Sequence, residues 1–293
     1  MDTMPTARDL IERAAVKFVG AGLHFGHGTD NAHDEATFIV LHALGLEYPV
    51  DERDLTRALK MDDVDAVLSL VNERIRSRRP AAYLTHAMWF AGRPFYIDER
   101  VLVPRSPIAE MVRQKFQPWL GRQPVRRILD IGTGCGCIAL TSALEFFEAT
   151  VHATDLSTEA LQVAAINCER FGLQERVQFE CADLFPMSER NFDLIVSNPP
   201  YVSDARLQCL PAEFLHEPRI ALVAGDEGLM CVKRILGKAT EYLADGGLLV
   251  VEVGEVWPEI ERHYPGIAFN WVEFQHGGEG VFVVSKNELA SLT

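Results

Sequence analysis

From Arg127 onward the chain alternates short β-branched and aliphatic runs with amphipathic stretches, and this alternation constrains the fold more than any other feature. The runs are Arg127-Ile128-Leu129-Asp130-Ile131, Thr150-Val151-His152-Ala153-Thr154, Val177-Gln178-Phe179-Glu180, Asp193-Leu194-Ile195-Val196-Ser197 and Leu248-Leu249-Val250-Val251-Glu252-Val253. Helical stretches separate them, such as Ser157 to about Phe171 with Ser157 as N-cap. Strands separated by helices form βαβ units, so the expected core is a mainly parallel α/β sheet. Two more strands, near Phe269–Phe274 and Val281–Val284, flank the turn-rich Gln275-His276-Gly277-Gly278-Glu279-Gly280 and predict an antiparallel edge.

The chain before this region reads differently. At 293 residues there is room for two domains. Residues 1–85 read as helices: Val64, Val67, Leu68, Val71 and Ile75 fall on one helical face, with Asp62 as N-cap and Pro80 as the stop. A second helix follows Asp30-Asn31 and turns Phe38, Leu41 and Leu44 inward. Residues 86–105 carry Met88-Trp89-Phe90 and Phe95-Tyr96-Ile97 on either side of Ala91-Gly92-Arg93-Pro94, a β-hairpin pattern read as a linker. Residues 106–293 form the α/β domain.

Charge narrows the function. Lys and Arg number 28 against 42 Asp and Glu, a net charge of −14. A general duplex-binding protein draws its affinity from neutralising phosphates, so this balance argues against DNA as a partner. It suits a small molecule or a basic macromolecule. No apolar run is long enough to span a bilayer, and Met1-Asp2-Thr3-Met4-Pro5-Thr6-Ala7-Arg8-Asp9 lacks the pattern of a signal peptide, so no membrane role and a cytoplasmic location are expected. Cys135, Cys137, Cys168, Cys181, Cys209 and Cys231 include no zinc-type spacing and read as free thiols. His24, His27 and His33 show no metal-ligand pattern, and His216 reads as a loop residue.

Asp130-Ile131-Gly132-Thr133-Gly134-Cys135-Gly136 closes the first parallel strand and opens a helix. An open α/β sheet binds its ligand at the carboxyl ends of its strands, where glycines allow close backbone approach. Asp155 ends the second strand, where an acid accepts from ribose hydroxyls. A dinucleotide site uses GxGxxG and seats a pyrophosphate on the helix N-terminus. Here the pattern is acid-x-Gly-x-Gly-x-Gly. Asp130 would repel an anion but not an ammonium or a sulfonium, which favours S-adenosylmethionine over NAD. Ala182-Asp183-Leu184 follows the third strand, and Asp183 is placed to accept from an adenine amine or to cap a helix.

Asn198-Pro199-Pro200-Tyr201 directly follows the fourth strand. Two prolines donate no backbone hydrogen bonds and hold the chain extended. The Asn198 side-chain oxygen and the Pro199 carbonyl can then both accept from one NH₂ group, with the flat Tyr201 ring beside it. An amide or aniline-type nitrogen is a poor nucleophile because its lone pair is delocalised. Acceptors fixed on both its N–H groups push density onto nitrogen, and they strengthen as positive charge develops there. Alignment of nitrogen, methyl and sulfur supplies the rest, with no metal required.

Together, Asp130–Gly136 and Asn198–Tyr201 resemble the class I S-adenosylmethionine-dependent methyltransferases that act on planar amino groups, among them the amino-directed DNA methylases and the protein-(glutamine) methyltransferase family. Leu102-Val103-Pro104-Arg105, Glu217-Pro218-Arg219-Ile220-Ala221-Leu222 and Gly225-Asp226-Glu227-Gly228-Leu229 resemble the glutamine enzymes in particular. In that family one branch modifies peptide-chain release factors, and another modifies the third large-subunit (50S) ribosomal protein. Ser106-Pro107-Ile108 replaces the acidic stretch usual in the release-factor branch. Gly26-His27-Gly28-Thr29-Asp30-Asn31, Ala87–Gly92 and Phe95–Pro107 are similar to the ribosomal-protein branch.

The resemblance implies a Rossmann-like, seven-stranded, mainly parallel sheet with an antiparallel edge strand, preceded by a helical domain that recognises the substrate. It implies S-adenosylmethionine as cofactor, with S-adenosylhomocysteine as product. Gly132, Gly134 and Gly136 would line its methionine part with Thr133 and Cys135 between them, Asp155 would hold the ribose, and Asp183-Leu184 would border the adenine. Leu184 departs from the Trp of many relatives, which weakens stacking but spares a backbone contact. Asp130 and Asn198 would also border the cofactor, and Asn198 and Pro199 would hold a glutamine amide, with Pro200 and Tyr201 shaping its pocket.

Residues 1–85 carry 14 acids and 10 bases, and residues 106–293 carry 26 and 15, so the acidic excess lies mainly where a basic ribosomal protein would be modified. Arg74, Arg76, Arg78 and Arg79 read either as a contact to ribosomal RNA, within an assembling 50S particle, or as a solvated helix end. Gly26–Asn31 reads as a substrate contact or a helix-capping loop. Three rival functions stay open: a release-factor glutamine methyltransferase, an adenine amino methyltransferase on DNA or RNA, and a non-catalytic ribosome-assembly binding protein.

Overall fold

The computed structural model describes residues 4–121, 124–225, 227–275 and 277–290. Met1–Thr3, Asp226 and His276, named in the stretches above, lie outside the described residues. Two compact units emerge. One joins Met1–Met88 to Pro211–His216, and the other joins Trp89–Leu210 to Glu217–Thr293. The division falls between Met88 and Trp89, and Pro211–His216 belongs to the helical unit.

The helical unit contains α1 (Ala7–Gly20), α2 (Ala32–Ala43), α3 (Glu52–Thr56), α4 (Met61–Ser77) and α5 (Ala81–Thr85). Thr6 and Asp9 form a reciprocal capping box on α1, and Asn31 caps α2 by accepting from the Asp34 N–H. The α4 face is as expected for Val64, Val67 and Val71, all buried. Asp62 is not its N-cap. The helix begins earlier, at Met61, and Asp62 and Asp63 occupy its first turn, where they face the positive end of the helix dipole. Phe38 and Leu44 pack at the margin of this core, while Ile39, Val40 and Leu41 are buried in α2.

The arginine run is not a solvated helix end throughout. Arg74 lies three residues after Val71 on the buried face and is fully buried. Its Nε donates to Glu35 Oε1 at 2.8 Å, and Nη2 donates to the His24 carbonyl at 3.2 Å. Arg78 pairs with buried Glu213 at 2.8 Å and donates to the Gly22 carbonyl at 2.7 Å. Glu213 belongs to the 3₁₀ turn Ala212–His216 and also accepts from the His24 N–H at 3.0 Å. Phe214 packs on the His27 ring, with centroids 4.3 Å apart. Arg76 is exposed and pairs with Glu73 on its own helix.

Beyond α5 the chain runs through β1 (Ala87–Phe90), β2 (Arg93–Tyr96), α6 (Ile108–Arg113), β3 (Arg127–Ile131), α7 (Cys137–Glu145), β4 (Thr150–Asp155), α8 (Thr158–Phe171), β5 (Val177–Cys181) and β6 (Phe192–Ser197). It continues through α9 (Asp204–Leu207), α10 (Arg219–Leu222), α11 (Met230–Tyr242), β7 (Leu243–Glu252), α12 (Trp257–His263), β8 (Asn270–Trp271), β9 (Val281–Ser285) and α13 (Lys286–Ala290). Strands β1 and β2 form the expected hairpin. The other seven form one sheet in the order β5-β4-β3-β6-β7-β9-β8.

Pairing is parallel from β5 through β7, and β9 runs antiparallel to both β7 and β8, as the sequence predicts. Both faces of the central strands are buried: Leu129, Ile131, Ile195, Leu249 and Val251 pack with α11 and α12 on one face, and Ile128, Leu194, Val196 and Val250 are buried as well. That double burial is why these runs are continuously apolar rather than alternating. Strand order reverses where β3 meets β6, the switch point at which an open α/β sheet forms its ligand crevice.

Candidate active site

The crevice is built from the carboxyl ends of β3, β4, β5 and β6. After β3 the chain turns through Gly132, Gly134 and Gly136, all with positive φ, which allows the backbone to coil tightly between strand and helix. A Cβ on Gly132 or Gly134 would meet nothing within 4 Å, so their backbone faces open space. Gly136 differs. A Cβ there would lie 3.1 Å from Leu140 and 3.2 Å from Ala164, so Gly136 serves helix packing. Thr133 and Cys135 are buried.

Hydrogen bonds tie the strand ends together. The Thr154 carbonyl accepts from the Gly132 and Thr133 N–H groups at 2.8 and 3.0 Å. The Thr154 hydroxyl donates to the Leu184 carbonyl at 2.5 Å, linking β4 to the turn after β5. Leu184 sits at φ 74°, in the left-handed region that a leucine seldom adopts. The Ser197 hydroxyl donates to the Ile131 carbonyl at 2.9 Å, linking β6 to β3.

Three acids at or just beyond the strand ends stand in different states. Asp155 Oδ2 accepts from the Gly134 N–H and Oδ1 from the Ser157 N–H, each at 2.9 Å. A carboxylate has about four lone-pair sites, so room for two hydroxyl donors remains. Burial pushes the Asp155 pKa up. Asp130 is buried, and its Oδ2 accepts from the Thr133 hydroxyl at 2.6 Å and the Ala139 N–H at 3.0 Å. Its Oδ1 has no partner among the described residues. Burial, with the Asp155 charge nearby, pushes the Asp130 pKa up to about 7, against the two hydrogen bonds that lower it. Asp183 is exposed, with its carboxylate held by both Arg234 nitrogens at 3.0 and 2.7 Å, which lowers its pKa.

An open glycine backbone, an orphaned buried carboxylate oxygen and a partly used second acid make a donor-poor, acceptor-rich site. That set fits a cationic nucleoside such as S-adenosylmethionine: hydroxyls on Asp155, cationic groups toward Asp130. It fits a pyrophosphate badly.

Asn198 follows β6 and is half-buried, and its side-chain amide makes no hydrogen bond among the described residues. The Pro199 carbonyl is likewise unspent. Pro199 is buried, and Pro200 and Tyr201 are half-buried. The exit from this loop is firmly held. The Val202 N–H donates to the Leu222 carbonyl, and the Ala224 N–H donates to the Val202 carbonyl, each at 2.9 Å. Glu217 grips Arg105 through two hydrogen bonds, of 2.7 and 2.8 Å, and accepts from the Val103 N–H at 3.0 Å. These contacts give the Leu102–Arg105 and Glu217–Leu222 stretches a physical role: they anchor the segment that leaves the Asn-Pro-Pro-Tyr loop.

Sequence reasoning missed several supporting residues. Asn167 of α8 is fully buried, and its Nδ2 donates to the Cys135 carbonyl at 2.9 Å and the Tyr96 carbonyl at 3.0 Å, while Oδ1 accepts from the Tyr96 N–H at 2.7 Å. It clamps the hairpin to the glycine loop. The signal was an asparagine four residues after Val163 on an otherwise apolar helix face. Glu252 bonds both Tyr201 and Ser106. Its signal was a lone acid in the apolar run Leu248–Val253.

Residues 116–239, which hold the glycine loop and the Asn-Pro-Pro-Tyr loop, match the family model "Methyltransferase small domain". The chain is 41% identical over 305 residues to the ribosomal protein uL3 glutamine methyltransferase of Burkholderia pseudomallei, covering 100% of this chain and 99% of that protein. It is 42% identical over 287 residues to the protein of the same name from Neisseria gonorrhoeae, covering 98% and 96%. Among solved structures it is similar to a methyltransferase from Pyrococcus furiosus at 20% identity and a TM-score of 0.46, over 66% of this chain and 88% of that one. The sheet is that of a class I methyltransferase, as the glycine loop implied. By identity along its whole length, the chain belongs to the family of ribosomal protein uL3 glutamine methyltransferases.

Proposed function

We propose that this protein transfers a methyl group from S-adenosylmethionine to the side-chain amide nitrogen of a glutamine in ribosomal protein uL3, in the cytoplasm. The observation that carries this reading is the pair of unspent acceptors, Asn198 Oδ1 and the Pro199 carbonyl, at the strand end beside the glycine loop. Bound S-adenosylmethionine supplies a methyl group made electrophilic by its sulfonium. The residues of the chain do the rest. Gly132 and Gly134 offer bare backbone, Asp155 takes ribose hydroxyls, and the turn at Asp183-Leu184 borders the base. Asn198 and Pro199 accept both amide hydrogens, so charge developing on nitrogen is met by oxygen lone pairs already in place. Once alkylated, the nitrogen becomes acidic and loses its proton without a strong base.

The acidic excess favours encounter with a basic ribosomal protein. Contact with ribosomal RNA falls to the exposed Arg76 in this reading, because Arg74 and Arg78 are held by Glu35 and Glu213. The test is incubation of purified protein and methyl-labelled cofactor with free uL3, with an assembling large-subunit particle, with a release factor and with an adenine-containing oligonucleotide. Peptide mass spectrometry then locates the label. One added methyl on a uL3 glutamine is expected. Label on the release factor or on adenine, or none at all, overturns the reading.

A further inference from the structure

The run Leu248-Leu249-Val250-Val251-Glu252-Val253 contains a single charged residue. Glu252 ends β7, the strand beside the one that delivers Asn198, and is only 5% exposed. Taking a carboxylate out of water is costly, and an apolar residue here would serve folding better. The nearby Arg105 charge favours the carboxylate, but the Arg105 guanidinium is hydrogen-bonded to Glu217, and no ion pair to Glu252 is seen among the described residues. Two neutral hydroxyls hold it instead. Tyr201 Oη donates to Oε1 at 3.1 Å, and Ser106 Oγ donates to Oε2 at 2.5 Å. Ser106 is itself fixed, because its Oγ accepts from the Ile108 N–H at 3.2 Å.

Tyr201 is confined from two other sides. A Cβ on Gly254 would lie 2.7 Å from its ring, and a Cβ on Gly228 would lie 2.3 Å from its carbonyl oxygen. Both glycines have positive φ, so side chains are doubly excluded. Hydroxyl, ring and carbonyl of one residue are each fixed, three positions after Asn198.

We propose that Glu252, braced by Ser106, is a positioning residue for methyl transfer: by holding the Tyr201 hydroxyl it fixes the Asn198–Tyr201 backbone and so sets where the two amide acceptors stand. This rests on the reading of Asn198 and Pro199 given above. The carboxylate acts through Tyr201 and leaves cofactor binding alone.

The test uses the full chain, uL3 and S-adenosylmethionine. Glu252→Met and Tyr201→Phe should each lower kcat roughly 10- to 100-fold, the cost of a misplaced reacting group, with KM for S-adenosylmethionine within about twofold of wild type. Because both act through one hydrogen bond, the double variant should be no slower than the worse single one. Glu252→Gln, which can still accept from one hydroxyl and donate to the other, should keep at least about a third of kcat. The all-apolar variant Ser106→Ala/Tyr201→Phe/Glu252→Met should melt no lower than wild type while remaining slow. Wild-type kcat in Glu252→Met or Tyr201→Phe, or multiplicative losses in the double variant, overturns the proposal. Should the wild-type enzyme methylate some other amino group, the functional reading fails by itself, and the same variants are scored on that group.

Discussion

Both units bury ion-paired carboxylates, Glu35 and Glu213 in one and Glu217 in the other, but the sheet unit also buries two acids that have no ion pair among the described residues. In the helical unit Arg74 and Arg78 face Glu35 and Glu213. Burial works against Glu213, yet the His24 N–H and the two guanidinium charges outweigh it and hold its pKa below the ordinary carboxylate value. In the sheet unit Asp130 and Glu252 are buried at strand ends with hydroxyl and amide donors, and burial pushes both pKa values up, in Glu252 against its two hydroxyl donors and the nearby Arg105 charge. A carboxylate met by opposite charge is part of the architecture. One left without an ion pair keeps a cost that folding alone does not repay.

The largest effect falls on the paired side. Arg74→Met strands the buried Glu35 carboxylate and leaves Glu213 to Arg78 alone, and should cost roughly 3–5 kcal/mol of unfolding free energy, read by denaturant titration. A loss under about 1 kcal/mol would break the contrast between the units. Next, Asn198→Ala should lower kcat/KM roughly 10²- to 10³-fold, as removing one preorganised polar contact does, with melting temperature unchanged. Wild-type activity in this variant would remove the amide-gripping role.

Asp130→Asn sharpens the other half through pH. Between about pH 4 and 7 the unfolded Asp130 is ionised while the folded one holds its proton. Wild-type stability therefore falls as pH rises through this window and is flat with respect to this group above it. Asn keeps an acceptor for Thr133 and Ala139 and lacks the penalty. Its stability relative to wild type should grow from about pH 4 to 7 and then level off, a trend that parallel thermal melts would show. A constant difference would mean that the acid is not held protonated. The smallest effect is electrostatic: raising salt from about 50 to 300 mM should raise KM for uL3 a fewfold and leave kcat unchanged.

Much of the sheet unit was legible because its signals are local. Continuous apolar runs, the Ser157 cap on α8 and the glycine loop depend on near neighbours in the chain, and each appears where it was expected. The sequence also pointed to Asn198-Pro199 as paired acceptors, because two prolines leave little freedom to the atoms beside them. Arg74 was misread because a charged residue at the end of a helix looks solvated until its partner is known. One partner, Glu213, lies 139 positions further on. Glu252, Ser106 and Asn167 were passed over for the same reason: their partners are 51, 146 and 71 positions away.

Residue order alone therefore determined the fold class and pointed to the pair of acceptors on which the proposed chemistry rests. It did so because backbone periodicity and turn geometry are settled within a few residues. Which buried charges are neutralised, which remain short of a partner, and what holds Tyr201 in place were decided only when distant segments packed together, since the energy of a buried polar group depends on what stands within hydrogen-bonding reach.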